Sequence, residues 1–131
     1  MERKTEVLNA IIRSTTLGYE DHNIFTFMLH LEGDGWGCGF GGYAMDTWSK
    51  EQDKRLPTAF GMACVCAVLQ TLELDSWEKL PGTAVRAVTE GLGGRIVRLG
   101  HLIKDRWFNV EELAAAYGTG AKKTYEEEKN R

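Results

Sequence analysis

The sequence predicts an α+β domain: a mainly antiparallel sheet of about five strands, one long helix packed on it, and a short helix near the C-terminus. Three observations predict it. Phe25, Phe27, Leu29 and Leu31 alternate with Thr26, Met28, His30 and Glu32, the period-two pattern of a strand with one buried face. Glycine then stands at Gly33, Gly35, Gly37, Gly39, Gly41 and Gly42, alternating strictly with larger residues from Trp36 to Gly41. Last, Pro57 suits the first turn of a helix running to about Leu74, rich in small residues at Ala59, Gly61, Ala63, Cys64, Cys66 and Ala67.

Each element follows from its residues. Glu6 to Thr16 is rich in β-branched side chains and predicts the first strand. The polar stretch from Gly18 to Asn23 turns the chain into the alternating strand. Glu32 to Gly35 turns it again, and the glycine strand completes a three-stranded meander. On that strand Trp36, Cys38 and Phe40 share one face, while Gly37, Gly39 and Gly41 leave the other bare. A bare face marks close approach by another group. The expected partner is the small-residue helix, with Phe60, Val65, Leu69 and Leu72 filling the space around it; direct ligand contact at Phe40 and Gly42 is the other reading.

Tyr43 to Arg55 reads as a charged connection, and Asp75 to Gly82 as a short turn or helical segment ending in Pro-Gly. Thr83 to Thr89 and Arg95 to Ile103 predict two more strands, joined by a hairpin at residues 90–94. Asp105 to Phe108 is expected to leave the sheet. Asn109 followed by Glu112 is a capping-box pattern, which opens a short helix to Tyr117 with Gly118 at its end. Residues 1–121 are expected to form a single ligand-binding domain, and residues 122–131 a polar tail.

Composition narrows the function. A net charge of −3 gives no overall attraction to nucleic acid. No apolar run is long enough to cross a membrane, and MERKTEV is no signal peptide, so a cytosolic protein without membrane partners is expected. Cys38, Cys64 and Cys66 are an odd, sparse set read as reduced thiols, buried small hydrophobes rather than a zinc site. Gly37, Gly39 and Gly42 match a dinucleotide fingerprint, but no amphipathic helix follows them. No phosphate-binding glycine loop, serine elbow or paired metal-binding histidine motif is present, and His22, His30 and His101 are not spaced as metal ligands. No cofactor and no catalysis are expected.

The chemistry that remains is basic and aromatic. Between Ala84 and Phe108, Arg86, Arg95, Arg98, Lys104 and Arg106 stand against Glu90 and Asp105, five basic residues against two acidic, a local net +3. The planar guanidinium suits phosphate, and Arg106-Trp107-Phe108 sets one beside two stacking surfaces. Arg98 and His101 belong to the same group. Two readings stand side by side: a nucleotide-type ligand, or strand arginines facing water.

Three segments resemble one family. TTLGYEDH from Thr15, FTFMLHLEGDGWGCGFGGYAMD from Phe25 and GRIVRLGHLIKDRWFN ending at Asn109 are similar to small phage proteins of the first Thoeris anti-defence family. The likeness covers roughly Thr15 to Asn109. It implies a sponge: a homo-oligomer, a hexamer in that family, that binds cyclic ADP-ribose isomers without cleaving them in the host bacterial cytosol. Relatives capture cyclic oligonucleotides at a separate site. By this resemblance Arg55 and Arg106 fall where phosphate-binding arginines are needed, and Trp77 or Trp107 where an aromatic stacks. The alternatives from other classes are a phage nucleic-acid-binding protein and a nucleotide-processing enzyme.

Overall fold

The computed structural model describes residues 5–20, 23–90 and 95–117. The expected hairpin tip at residues 91–94, the end of the last helix at Gly118, the polar tail and His22 lie outside the described residues.

The chain is α+β, with a mainly antiparallel architecture. Strands β1 (Thr5–Tyr19), β2 (Phe25–Gly33), β3 (Trp36–Gly41), β6 (Ala84–Glu90), β7 (Ile96–His101) and β8 (Trp107–Phe108) form a six-stranded sheet in the order β3-β2-β1-β6-β7-β8. Every pairing in it is antiparallel. Strands β4 (Asp46–Ser49) and β5 (Lys54–Pro57) make a separate two-stranded sheet. Helix α1 spans Ala59–Leu72 and α2 spans Val110–Tyr117, with a 3-10 turn at Trp77–Lys79 between α1 and β6.

Four expectations are corrected. The sheet has six strands, because Trp107 and Phe108 pair with Gly100 and Leu99 rather than leaving it. The charged connection holds the β4–β5 hairpin, whose four-residue strands are too short to show a period of two. Pro57 closes β5 opposite Asp46, and the helix starts after it: Thr58 caps α1, its side-chain oxygen accepting from the Gly61 N–H at 2.9 Å. Helix α1 ends at Leu72, where Glu73 turns left-handed at φ 57. At the other helix the expected cap holds, with Asn109 Oδ1 accepting from the Glu112 N–H at 3.1 Å.

Register decides which face of the sheet is buried. Leu29 lies opposite Phe40 and Leu31 opposite Cys38 and Ile12, so the aromatic side of β3 joins the core. Helix α1 turns Phe60, Cys64, Val68 and Leu72, spaced four apart, into the same core. The helix therefore packs on the aromatic face, and the expectation that it packs on the bare glycine face is overturned. Gly37 and Gly39 are exposed, opposite Glu32 and His30. Close backbone approach falls at the end of the run, where a Cβ on Gly41 would stand 2.3 Å from the Phe27 carbonyl oxygen, and on the helix. A Cβ on Gly61 of α1 would stand 2.3 Å from the Met45 carbonyl oxygen, whereas one on Gly39 would meet only the Met28 thioether, at 2.7 Å. Gly61→Ala is thus expected to destabilise by about 1–3 kcal/mol as overpacking against backbone does, and Gly39→Ala by less than about 1 kcal/mol because Met28 can rotate away. Denaturant midpoints of the two variants compare them directly.

The sheet curls on itself: β3 approaches β7, and the Phe40 and Phe108 rings meet edge to face at 5.9 Å. With α1 and α2 on the inner side, the opposite, convex face of β1, β6, β7 and β8 carries no helix among the described residues. It presents Val7 and Ile11, 56% and 47% exposed, beside Arg86 and Arg98.

Candidate ligand-binding face

The pairing places the side chains of this face in rows. Asn9 is opposite Arg86, Arg86 opposite Gly100, and Gly100 opposite Trp107; two residues along, on the same face, Val7 is opposite Val88 and Val88 opposite Arg98. Gly100 supplies the floor: a Cβ there would fall 2.4 Å from the Trp107 ring, so only glycine lets the indole lie against the sheet. The Arg86 guanidinium carbon sits over that ring at 4.5 Å from its centroid, and that of Arg98 at 5.9 Å. Trp107 Nε1 donates to Asp105 Oδ1 at 2.8 Å, which fixes the ring's rotation.

Residues 102–106 form a turn between β7 and β8 that is clamped from both sides. From the convex face Arg86 donates Nε to the His101 carbonyl at 2.7 Å and Nη2 to the Lys104 carbonyl at 2.8 Å. From the inner face His101 Nδ1 accepts from the N–H groups of Ile103 at 3.1 Å and Lys104 at 3.0 Å. That geometry requires the Nδ1 lone pair, so the ring proton of the neutral imidazole sits on Nε2. Nε2 points to Glu73 Oε2 at 3.7 Å, and Lys104 Nζ reaches the same oxygen at 2.7 Å. The hydrogen bond from Lys104, with the charges of Lys104 and Arg106 nearby, holds the Glu73 carboxyl below its ordinary value. Arg106 itself is exposed at the end of this turn, immediately before Trp107.

Beside the turn, over the convex face, an open cleft of about 500 Å³ is lined by Asn9, Ile11, Arg13, Glu32, Ala84 and Leu102 among others. Arg13, at the bulge in β1, closes one wall by an exposed ion pair with Glu32 at 2.8 Å.

No family model, curated protein or solved structure matches this chain.

Of the expected site residues the structure sets Arg98 beside Trp107 on the convex face, with Arg106 exposed at the edge of the turn on the side of Glu73. His101 stands on the inner side, as a clamp of the turn. The other four lie elsewhere. Phe40 is buried at 1% exposure between Phe27 and Phe108. Trp77, half-buried against the core, packs edge-on against Phe27 at 5.8 Å and donates Nε1 to Thr15 Oγ1 at 3.2 Å. Arg55 belongs to the small sheet, where its Nη2 donates to Asp46 Oδ1 at 2.8 Å and to the Asp46 carbonyl at 3.0 Å. Gly42 follows the end of β3 at φ +80, its N–H donating to the Phe27 carbonyl at 2.7 Å. Of the two tryptophans offered for stacking, Trp107 is the one set among arginines.

Arg86 belongs to the basic group in sequence, but its position at the centre of this face depends on which strands flank β6, which the sequence does not spell out. The signal was the strand parity: with Val85 and Ala87 buried, residue 86 must point to the convex side. Elsewhere, burial pushes the Cys64 thiol up to about 12, so it stays protonated within the core. Among the described residues no group of three His, Cys, Asp or Glu side chains is arranged to hold a metal ion.

Proposed function

We propose that this chain is a non-catalytic phage sponge that captures a cyclic nucleotide, a cyclic ADP-ribose isomer, in the cytosol of its bacterial host and so blunts anti-phage defence signalling. The observation that carries the proposal is the Trp107 indole on the convex face, with the Arg98 guanidinium carbon 5.9 Å from its centroid and Arg86 held over it at 4.5 Å; Arg106, beside Trp107 in sequence, is exposed at the edge of the turn on the side of Glu73. Arginine charge meets a diphosphate in strong charge-assisted hydrogen bonds, and an indole offers a base or ribose a flat apolar surface. The sequence likeness to the anti-Thoeris proteins points to the same ligand class. The exposed apolar side chains Val7, Ile11 and Ile103 around this face support assembly into a homo-oligomer, proposed as a hexamer.

Calorimetry against a cyclic ADP-ribose isomer, followed by mass spectrometry of ligand released on heating, tests the proposal. The expected result is tight, stoichiometric binding and an unaltered mass. A changed mass identifies a nucleotide-processing enzyme; binding to oligonucleotides with a steep salt dependence identifies a nucleic-acid-binding protein. Arg106→Ala should weaken capture by roughly tenfold to a hundredfold, the loss of one charge-assisted bond of ~1.5–3 kcal/mol. Lys50→Ala, which removes a cation from the β4–β5 turn, should leave affinity unchanged.

A further inference from the structure

We infer that Arg86 is the positioning residue of this binding face: one guanidinium, reaching out from β6, fixes the 102–106 turn and Trp107 in their arrangement before any ligand arrives. The inference rests on the nucleotide-binding reading above and adds to it the group that presets the site.

Apart from two backbone hydrogen bonds, Arg106 N–H to the Lys104 carbonyl at 2.8 Å and His101 N–H to the Arg106 carbonyl at 2.9 Å, the turn has little else to hold it. Ile103 is 82% exposed and Leu102 38%, so burial of its own apolar side chains does not anchor the segment. Polar clamps do, and they fall on two sides. His101 and Glu73 act from the inner side, on the N–H groups of Ile103 and Lys104 and on the Lys104 ammonium. Arg86 acts from the convex side and, among the described residues, is the clamp that touches both the turn and the indole. Its Nε and Nη2 take carbonyls three residues apart, His101 and Lys104, while its guanidinium carbon lies over the Trp107 ring, 4.5 Å from the centroid. Two ends of one turn and the platform beside it are thereby tied to a strand in the middle of the sheet, between β1 and β7.

The chemistry explains why the residue is an arginine. A lysine ammonium carries the same charge but is a point donor, without the rigid fork that spans two carbonyls or the plane that stacks on an indole. With two donors committed to carbonyls, Arg86 is a strut, and Arg98 remains on this face for the ligand, with Arg106 exposed at the edge of the turn. A loop ordered only upon binding subtracts its ordering cost from affinity. A preset turn avoids that cost, which a protein that captures its ligand by static contacts alone requires.

The experiment is hydrogen exchange on the ligand-free full chain for wild type, Arg86→Lys and Arg86→Ala, followed by calorimetry of each with a cyclic ADP-ribose isomer. The amides of Ile103, Lys104 and Arg106 should exchange roughly tenfold faster or more in both variants, while those of Phe27 and Leu29 in the core keep their protection. Affinity should fall by roughly tenfold in both, the lysine failing to rescue. A general structural role would instead raise exchange in β2 as well. Wild-type exchange in the turn, wild-type affinity despite a loosened turn, or full rescue by lysine would each overturn the inference. Where the alanine variant fails to fold, the lysine variant carries the same comparison. If the wild-type protein does not bind the nucleotide, the functional reading falls, and so does the role of Arg86 in capture; turn exchange then shows only whether Arg86 is a structural clamp.

Discussion

Arg55→Ala is expected to lower the free energy of unfolding by about 3–5 kcal/mol, a large part of the ~5–15 kcal/mol that holds a domain of this size. The reason is the carboxylate it leaves behind. The Arg55 and Asp46 side chains are 9% and 5% exposed, and the guanidinium donates to both a carboxylate oxygen and the backbone carbonyl of Asp46. The second carboxylate oxygen of Asp46 accepts from the Phe25 N–H at 3.2 Å. This ion pair therefore joins the small β4–β5 sheet to the first residue of β2. Removing the arginine strands a buried negative charge; removing both partners strands much less, so Arg55→Met combined with Asp46→Asn should cost less than the sum of the single changes. Urea unfolding of the four proteins measures the coupling. Loss of ligand capture in Arg55→Ala would then be read against its stability, because a partly unfolded protein binds poorly whatever the arginine touches.

The same residue shows how far sequence reaches. A run such as DTWSKEQDKR gives no hydrophobic period, so the turn at Lys50 to Asp53 and the two four-residue strands beside it are invisible to pattern reasoning. Arg55 consequently reads as a loose cation on a connection, though a short hairpin buries it. The longer strands were legible because their period is long enough to count: Phe25 to Leu31 alternates through the whole of β2, and its odd residues are those in the core. The glycine run was legible as a strand but not as to which face is covered. Bare backbone and a small-residue helix look complementary on paper, yet the apolar side chains Trp36, Cys38 and Phe40 need burial and the glycines do not. Burial of apolar area decides the facing.

The candidate face was half legible for a similar reason. Arg98, Arg106 and Trp107 are close in sequence, joined by one short turn, and local spacing finds them. Arg86 comes from the neighbouring strand, and only the pairing of Arg86 with Gly100 brings it to the indole. Gly100 reads in sequence as a weak point of a strand; its purpose, space for the Trp107 ring, is a cross-strand fact. Trp77 could not be separated from Trp107 by type alone. Its Nε1 is satisfied by Thr15, 62 residues earlier in the chain, a distance no local pattern spans.

Phe40→Ala is expected to cost about 3–5 kcal/mol, the range for truncating a fully buried phenylalanine, and to do so without altering any group on the convex face. Phe40 is 1% exposed and sits on β3, the first strand in sheet order, while Phe108 sits on β8, the last. Their rings meet at 5.9 Å, and Phe27 lies on the other side of Phe40 at 6.4 Å. The three rings thus bridge the curl of the sheet, where no backbone hydrogen bonds join β3 to β8. Alanine at 40 removes the middle ring. The cavity forms at the place where the two ends of the sheet meet. Phe40→Leu keeps most of the volume and should cost less, at about 1–1.5 kcal/mol. Thermal unfolding ranks the two variants. A ligand affinity that survives in Phe40→Leu, measured well below its midpoint, assigns Phe40 to the core; an affinity lost at full stability would return it to the binding site.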